Sequence, residues 1–576
     1  MAVLGRLVAV AAICIAQLVS GSLGFRTSLT IKDFREQMMR VEQAKNTRAV
    51  GITRREDVNL TLLYPTRTIS VPVDHFHNDS RYEPHSQDTF SLRYWFDPSH
   101  YQKGGPIIVL QSGETTGENR LPYLQKGIVA QLAEATGGLG VILEHRYYGE
   151  SFPVSNLSTE SLRFLTTDQA LADMAYFAQH VEFPGLEHLD LTAPKNAYIA
   201  YGGSYAGAFV AFLRKLYPDV YWGAISSSGV TEAIYDYWQY YEAARLFAPQ
   251  NCVTATQKLT HLVDNILLGG HATGDYVQRL KTTFGLGNLT RSDDFANALS
   301  FGIQGLQGTN WDPTLNDTAF GDYCNAVSTS DKLLYPAMAT RRSEVQELIV
   351  AGGYEHELEE LTGQMLNYIG YVDETVVQSC IAQNESQDAC LTNFNSAYYH
   401  QDDISQQWRS WPYQYCTEWG FLQTGSGVPA DQLPLVSRLI DLNYASAVCK
   451  EAFNIYTPSD VEAINKHGGF GISYPRLAII DGQRDPWRAA TPHAIGLPPR
   501  ASTTSEPFLL IEGGVHHWDE NGLFPNETKP GLPPQPVADA QREEVAFVKE
   551  WMVEWSLNSR SVAENDEDET RTWGDL

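Results

Sequence analysis

The sequence predicts an α/β fold in which a mostly parallel sheet is interrupted by a long helical insertion. Three observations carry this expectation. Short apolar runs bounded by glycine turns alternate with helix-period segments up to about residue 230, the pattern of buried parallel strands. The alternation then stops for about 230 helix-rich residues that hold every cysteine beyond Cys14. Two further strand-like runs follow, in a chain of 576 residues, which is longer than a single hydrophobic core usually supports.

Taken in order, residues 1–24 read as a signal peptide. Arg6 is basic, Leu7 to Val19 is an apolar run too short to span a bilayer comfortably, and small residues follow from Ser20 to Gly24. Residues 25–60 are polar and patternless, as expected of a leader or propeptide-like arm. The first part of the α/β domain is expected over 61–235. Its strands are GGPIIVLQSGE (104–114), GLGVILEHRYYGE (138–150), KNAYIAYGGS (195–204) and WGAISSSGV (222–230). Between them, TTDQALADMAYFAQHV reads as a helix capped by Thr166 or Thr167, with Leu171, Met174 and Ala178 on one face. Directly after Ser204 the period changes, since Phe209, Phe212, Leu213 and Leu216 follow helical spacing until Pro218.

The insertion is expected over 236–460. Its cysteines, Cys252, Cys324, Cys380, Cys390, Cys416 and Cys449, are an even set that suggests three disulfides, with fifteen pairings open. Residues 461–558 form the second part of the α/β domain, with PRLAIIDG (475–482) and PFLLIEGG (507–514) as strands. A final helix near 537–556 places Val545, Val548, Met552 and Trp555 on one face, and 559–576 reads as an acidic disordered tail.

Charge narrows the partners. Lysine and arginine number 41 against 69 acidic residues, a net charge of −28 that repels nucleic acid and anionic membranes. No run beyond the first residues is long and apolar enough to be a transmembrane helix. Seven N-x-[ST] sequons, at Asn59, Asn78, Asn156, Asn288, Asn316, Asn384 and Asn526, fit passage through the secretory route. The expected destination is extracellular, or the lysosome or vacuole. There is no H-E-x-x-H, no cysteine or histidine cluster at zinc spacing, and no phosphate-loop or dinucleotide fingerprint, so neither metal nor cofactor is expected.

The chemistry centres on YGGSYAGAF (201–209). A serine hydroxyl attacks a carbonyl only with a base beside it, a carboxylate to orient that base and N–H donors for the oxyanion. The strand-to-helix turn around such a serine demands small residues, and Gly202, Gly203, Ala206 and Gly207 meet that demand, although Ala206 stands where G-x-S-x-G has its second glycine. A glycine-rich turn with a capping serine is the alternative for this stretch alone. Chain order favours the nucleophile: Asp485 follows one late strand and His516 another, giving Ser204, Asp485 and His516 at three strand ends in the order of α/β-hydrolases. One oxyanion donor is expected to be the N–H of Tyr205, and the second is sought among Ser112, Gly113 and Glu114, with Gly113 as the candidate.

GGSYAG, EHRYYGESFP (144–153), TTDQALADMAYF (166–177), QYCTEWGFLQT (414–424), DGQRDPWR (481–488) and GGVHHWDE together resemble the serine carboxypeptidase family that holds lysosomal prolyl carboxypeptidase and dipeptidyl peptidase II, with fungal secreted prolyl peptidases. The resemblance runs from about residue 65 to 556. It implies an α/β-hydrolase fold with an inserted, disulfide-pinned helical cap domain, and hydrolysis of peptide bonds next to proline. Ser204, Asp485 and, of the adjacent histidines, His516 fall where the family's triad falls. One departure is QSGET after the first core strand, where the family usually has asparagine and glycine.

Glu418 beside Trp419 is a candidate for the substrate pocket. Alternatively Cys416 is disulfide-bonded, with Cys449 one candidate partner, and Glu418 is a buried ion-pair partner. A proline pocket wants flat apolar walls, for which Trp411, Tyr413, Trp419 and Trp487 are candidates. The expected substrates are proline-containing peptides, and carboxypeptidase, dipeptidyl-peptidase and endopeptidase modes all stay open, as does a homodimer. An esterase or lipase on the same fold, or an inactive hydrolase fold used for binding, are the competing readings.

Overall fold

The structure, a computed structural model, describes residues 60–269 and 274–572. The expected signal peptide and all but the last residue of the expected leader arm lie outside the described residues. Eight strands make one sheet: β1 (Arg67–Pro72), β2 (Thr89–Asp97), β3 (Ile107–Gln111), β4 (Leu139–Leu143), β5 (Tyr198–Gly203), β6 (Gly223–Ser227), β9 (Leu477–Gly482) and β10 (Phe508–Ile511), in the spatial order β1-β2-β4-β3-β5-β6-β9-β10. From β4 to β10 every pairing is parallel, whereas β1 and β2 are antiparallel to each other and β2 to β4. The six predicted strands are all present. The antiparallel pair was not predicted, because β1 is a half-exposed edge strand whose short RTISVP run carries little apolar signal.

Alternation along the strands divides the core into two layers. Ile107, Val109, Val141, Ala200 and Ala224 face α2 (Thr167–His180) and α3 (Tyr205–Leu216), while Ile108, Leu110, Ile142, Ile199 and Ile225 face α1 (Ile128–Thr136) and the last helix, α4 (Gln535–Thr572). Thr166 caps α2 by accepting the Gln169 N–H, and Leu171, Met174 and Ala178 are buried as predicted. The buried stripe of α4 differs from the prediction. Val537, Ala540, Phe547, Val548 and Trp551 carry it, while Val545, Met552 and Trp555 flank it half-buried. The helix also continues to Thr572, through residues expected to be a disordered tail.

The segment between the two halves of the sheet is dominated by helices, among them Gln250–Leu268, Ser292–Gln304, Ala319–Ser328 and Leu358–Val372. Three disulfides join Cys252 to Cys324, Cys380 to Cys390 and Cys416 to Cys449. A short parallel pair, β7 (Ile234–Asp236) and β8 (Gly420–Leu422), ties this segment to the chain leaving β6. Its apolar side chains belong to the same cluster as the α2 and α3 face of the sheet, so the insertion is packed onto the sheet's own core. Among the described sequons, Asn78, Asn288, Asn384 and Asn526 are exposed, whereas Asn156 and Asn316 are half-buried.

Candidate active site

β5 ends at Gly203 and α3 begins at Tyr205, which leaves Ser204 alone on the turn. Its φ of 59° and ψ of −126° are unusual for a residue with a side chain. Surrounding bonds enforce that geometry: the Ser204 N–H donates to the Ser227 carbonyl at 2.9 Å, and its own carbonyl accepts from Gly207 at 2.9 Å. A Cβ on Gly202 would lie 2.1 Å from the Ala206 carbonyl oxygen, and one on Gly207 would lie 2.7 Å from that of Ser227. Glycine is therefore required at 202 and 207, and Ala206 is tolerated because neither of those contacts involves its side chain. Ser204 makes no side-chain capping bond to α3, so its hydroxyl is not a helix cap.

Asp485 and His516 follow β9 and β10 and meet in the interior. The Asp485 Oδ2 accepts a hydrogen bond from His516 Nδ1 at 2.8 Å, and neither side chain has any solvent exposure. A carboxylate only accepts, so the proton of neutral His516 sits on Nδ1 and Nε2 is the basic nitrogen. Asp485 Oδ1 accepts the Trp487 N–H at 2.9 Å. Burial alone would raise the Asp485 carboxyl; His516, the Trp487 N–H and the Ser228 hydroxyl reverse this and hold it below the ordinary aspartate value.

The neighbouring histidine is bound differently. His517 Nδ1 lies 2.8 Å from Glu520 Oε2, and its backbone N–H donates to Ser228 Oγ at 2.9 Å. A Cβ on Gly203 would come within 3.2 Å of the His517 ring, which sets the end of β5 against the histidine pair. Ser228 thus touches both the carboxylate and the histidine loop. It was not predicted, although its position just after the strand GAISS was a usable signal. Asp519 was missed as well: it accepts from Tyr201 and Ser227 hydroxyls, each at 2.6 Å, and so steadies the residue whose carbonyl holds Ser204.

Of the expected oxyanion donors, Tyr205 is the first residue of α3, where backbone N–H groups have no intrahelical acceptor. The Gly113 N–H, the expected second donor, here donates to the Gln111 side-chain carbonyl at 2.5 Å. Ser112 is likewise engaged, donating to the Leu143 carbonyl at 2.9 Å. The loop is nevertheless in place, with a Cβ on Gly113 falling 3.5 Å from that of Ala206.

The Tyr205 side chain is anchored by a chain of bonds whose direction follows from donor chemistry. His145 Nδ1 lies 2.7 Å from the Arg146 carbonyl and must donate to it, so its Nε2 accepts from the Tyr205 hydroxyl at 2.9 Å. Burial pushes His145 down to about 4, in keeping with that neutral form. Tyr205 in turn accepts from the Gln414 amide at 2.9 Å, and Gln414 accepts from Tyr148 at 2.5 Å. Gln414, from the insertion, therefore helps fix the residue that supplies the expected oxyanion N–H.

The structure does not bring Glu418 into open space. Its buried carboxylate accepts the Thr167 N–H at 3.1 Å and the Thr167 hydroxyl at 3.0 Å, closing the start of α2, while Cys416 is bonded to Cys449. Trp419 is fully buried, 5.1 Å from the Tyr205 ring. Trp487 lies beside His516, its ring 6.5 Å away, stacked on Tyr237 at 5.3 Å and edge-on to Phe421 at 5.2 Å.

Burial pushes Glu418 from 4.5 up to about 7, against the opposing Thr167 bonds. In the unfolded chain this carboxyl ionises near its ordinary value, so between about pH 4.5 and 7 the folded state holds the extra proton and stability falls as pH rises. Urea midpoints should therefore drop from pH 4.5 to 7, and Glu418→Gln should flatten that drop by on the order of 2 kcal/mol. Equal pH slopes for wild type and variant would rule the effect out.

Comparison with known proteins finds the chain similar to serine carboxypeptidases. The family model described as Serine carboxypeptidase S28 matches residues 72–530. A probable extracellular serine carboxypeptidase from Arthroderma benhamiae is 54% identical over 514 residues, covering 89% of this chain and 71% of that protein. Serine protease vicPb from Bipolaris victoriae is 29% identical, covering 88% and 92% of the two chains. Among solved structures, a proline iminopeptidase from Mycobacterium smegmatis aligns with a TM-score of 0.32 and 12% identity, covering 84% and 99%.

Proposed function

Because the chain belongs to the serine carboxypeptidase S28 family and is a serine peptidase of the α/β-hydrolase fold, we propose that it hydrolyses peptide bonds next to proline as an exopeptidase, with Ser204 as nucleophile. The expected signal peptide, the sequons and the three disulfides support action outside the cell or in the lysosome or vacuole. The observations that carry the reading are the buried 2.8 Å bond between Asp485 and His516 and the strained geometry of Ser204 on the strand-to-helix turn. In the mechanism, His516 Nε2 takes the Ser204 proton as Oγ attacks the scissile carbonyl. The Tyr205 N–H stabilises the oxyanion, and collapse of the tetrahedral species passes the proton from His516 to the leaving amine. Water, activated by the same imidazole, then releases the acyl-enzyme. Asp485 keeps Nδ1 protonated and stabilises the imidazolium that forms in each step.

Proline preference draws its support from the aromatic group around Trp487, whose flat faces beside His516 suit a pyrrolidine ring. A matched set of proline peptides, free, N-blocked and C-blocked, tests the proposal. Cleavage at proline is expected, at least tenfold faster than at alanine in the same place, and the blocking group that stops it identifies the mode. Turnover of esters without cleavage of any peptide would overturn the peptidase reading for this site, and equal rates at proline and alanine would overturn its specificity.

A further inference from the structure

We propose that Asp74, His77 and His85, on the connection between β1 and β2, form a site for a divalent transition-metal ion of the zinc or copper class. A donor atom from each of the three lies within 4.8 Å of the others. Their spacing matches no linear zinc signature; the set exists because residues 73–88 fold back on themselves between the two strands. His77 is exposed and His85 half-buried, which gives an ion access from solvent, whereas the Asp74 side chain is fully buried.

The carboxylate is oriented as a ligand needs to be. Asp74 Oδ1 accepts from the Phe76 N–H at 2.8 Å and from the Gln169 amide at 2.7 Å, bonds that fix its plane against α2. Oδ2 accepts a hydrogen bond from His85 Nδ1 at 2.7 Å, so an ion held by both groups displaces that proton. The His77 and His85 rings stand 5.7 Å apart. Among the described residues, no lysine or arginine comes within 4 Å of this buried carboxylate, and His85 is its ionic partner there. Asp173, one neighbour away, is by contrast paired with Arg146 at 2.6 Å. A buried carboxylate whose ionic partner is an imidazole alone is a place where a cation supplies the missing charge.

Two imidazoles and one carboxylate select among cations. Calcium and magnesium prefer all-oxygen shells, while zinc and copper take nitrogen with oxygen and leave a further position for water. The 4.8 Å span exceeds a tetrahedral ligand separation, so the three donors draw together when the ion enters. Bound there, the ion clips the β1–β2 connection to α2 through Gln169. Nothing in this set touches Ser204, Asp485 or His516, so its effect falls on stability and not on the chemical step.

Equilibrium dialysis of the full, chelator-treated protein against zinc alone, and against copper(II) alone, tests this. One ion per chain is expected at micromolar concentration. His77→Ala and His85→Ala should each weaken it at least tenfold, and saturating zinc should raise the thermal midpoint of wild type but not of the double variant. Histidine variants are preferred to Asp74→Asn because Asp74 also anchors Phe76 and Gln169. Chelation should leave proline-peptide hydrolysis within twofold. Absence of stoichiometric binding overturns the proposal, as does a site that survives the double variant and is lost in His516→Ala, which would place the ion on the catalytic imidazole.

Discussion

Ser204→Ala eliminates peptide hydrolysis, lowering kcat by roughly 10⁵- to 10⁶-fold while the thermal midpoint stays within a few degrees. The first half of that expectation follows from the role of Oγ as the attacking atom: without it, only oxyanion stabilisation and substrate binding remain. The second half follows from the turn. Ser204 makes no capping bond through its side chain, its backbone N–H and carbonyl bonds are untouched by the substitution, and alanine can take the place of serine without added volume. Gly207→Ala makes the contrast, since its methyl would press on the Ser227 carbonyl at 2.7 Å and disturb the fold itself. Steady-state kinetics, together with labelling by a serine-reactive fluorophosphonate, decide the matter. Activity above 1% of wild type in a folded Ser204→Ala protein would remove Ser204 from the mechanism.

Which parts of this arrangement the sequence announced, and which it concealed, has a physical basis. Five of the six parallel strands are buried on both faces and, like the half-exposed edge strand β10, read as continuous apolar runs between glycines, so both they and the residues at their ends, Ser204, Asp485 and His516, could be located. β1 is an edge strand with one wet face, and two apolar positions, Ile69 and Val71, in six residues are a weak signal. The α4 stripe was displaced because Gln541 and Glu544, polar by type, are buried on the helix's inner face, where Gln541 bonds the Asp519 and Asn521 carbonyls. Side-chain partners were beyond reach wherever they depend on which rotamer fills a space. That is why Gly113 stood as an oxyanion donor although Gln111 takes its N–H, and why Ser228, bridging Asp485 and the histidine loop, went unmarked. Glu418 illustrates the same limit from the other side: a carboxylate next to a tryptophan suggested a substrate pocket, and the fold uses it to close the start of α2.

Asp485→Asn is the second large effect, a fall of about 10⁴ in kcat with KM changed only a few-fold. The direction comes from the hydrogen bonds around the carboxylate. Oδ1 receives the Trp487 N–H, so the asparagine carbonyl oxygen must occupy that position, which turns the amide nitrogen toward His516. An amide N–H facing Nδ1 requires that nitrogen to accept, and the imidazole proton moves to Nε2. His516 then presents a donor where the mechanism needs a base, and Ser204 keeps its proton. Ser228→Ala separates this tautomer effect from a general loosening of the site: it removes one hydroxyl bond to Asp485 but leaves Oδ2 an acceptor, so a loss nearer tenfold is expected. If Asp485→Asn lost no more activity than Ser228→Ala, the carboxylate would be a packing residue and another group would have to orient His516. A gap of about 10³-fold between the two variants, with both proteins folded, would show that it is the Nδ1 proton held by Asp485 that lets His516 act as base.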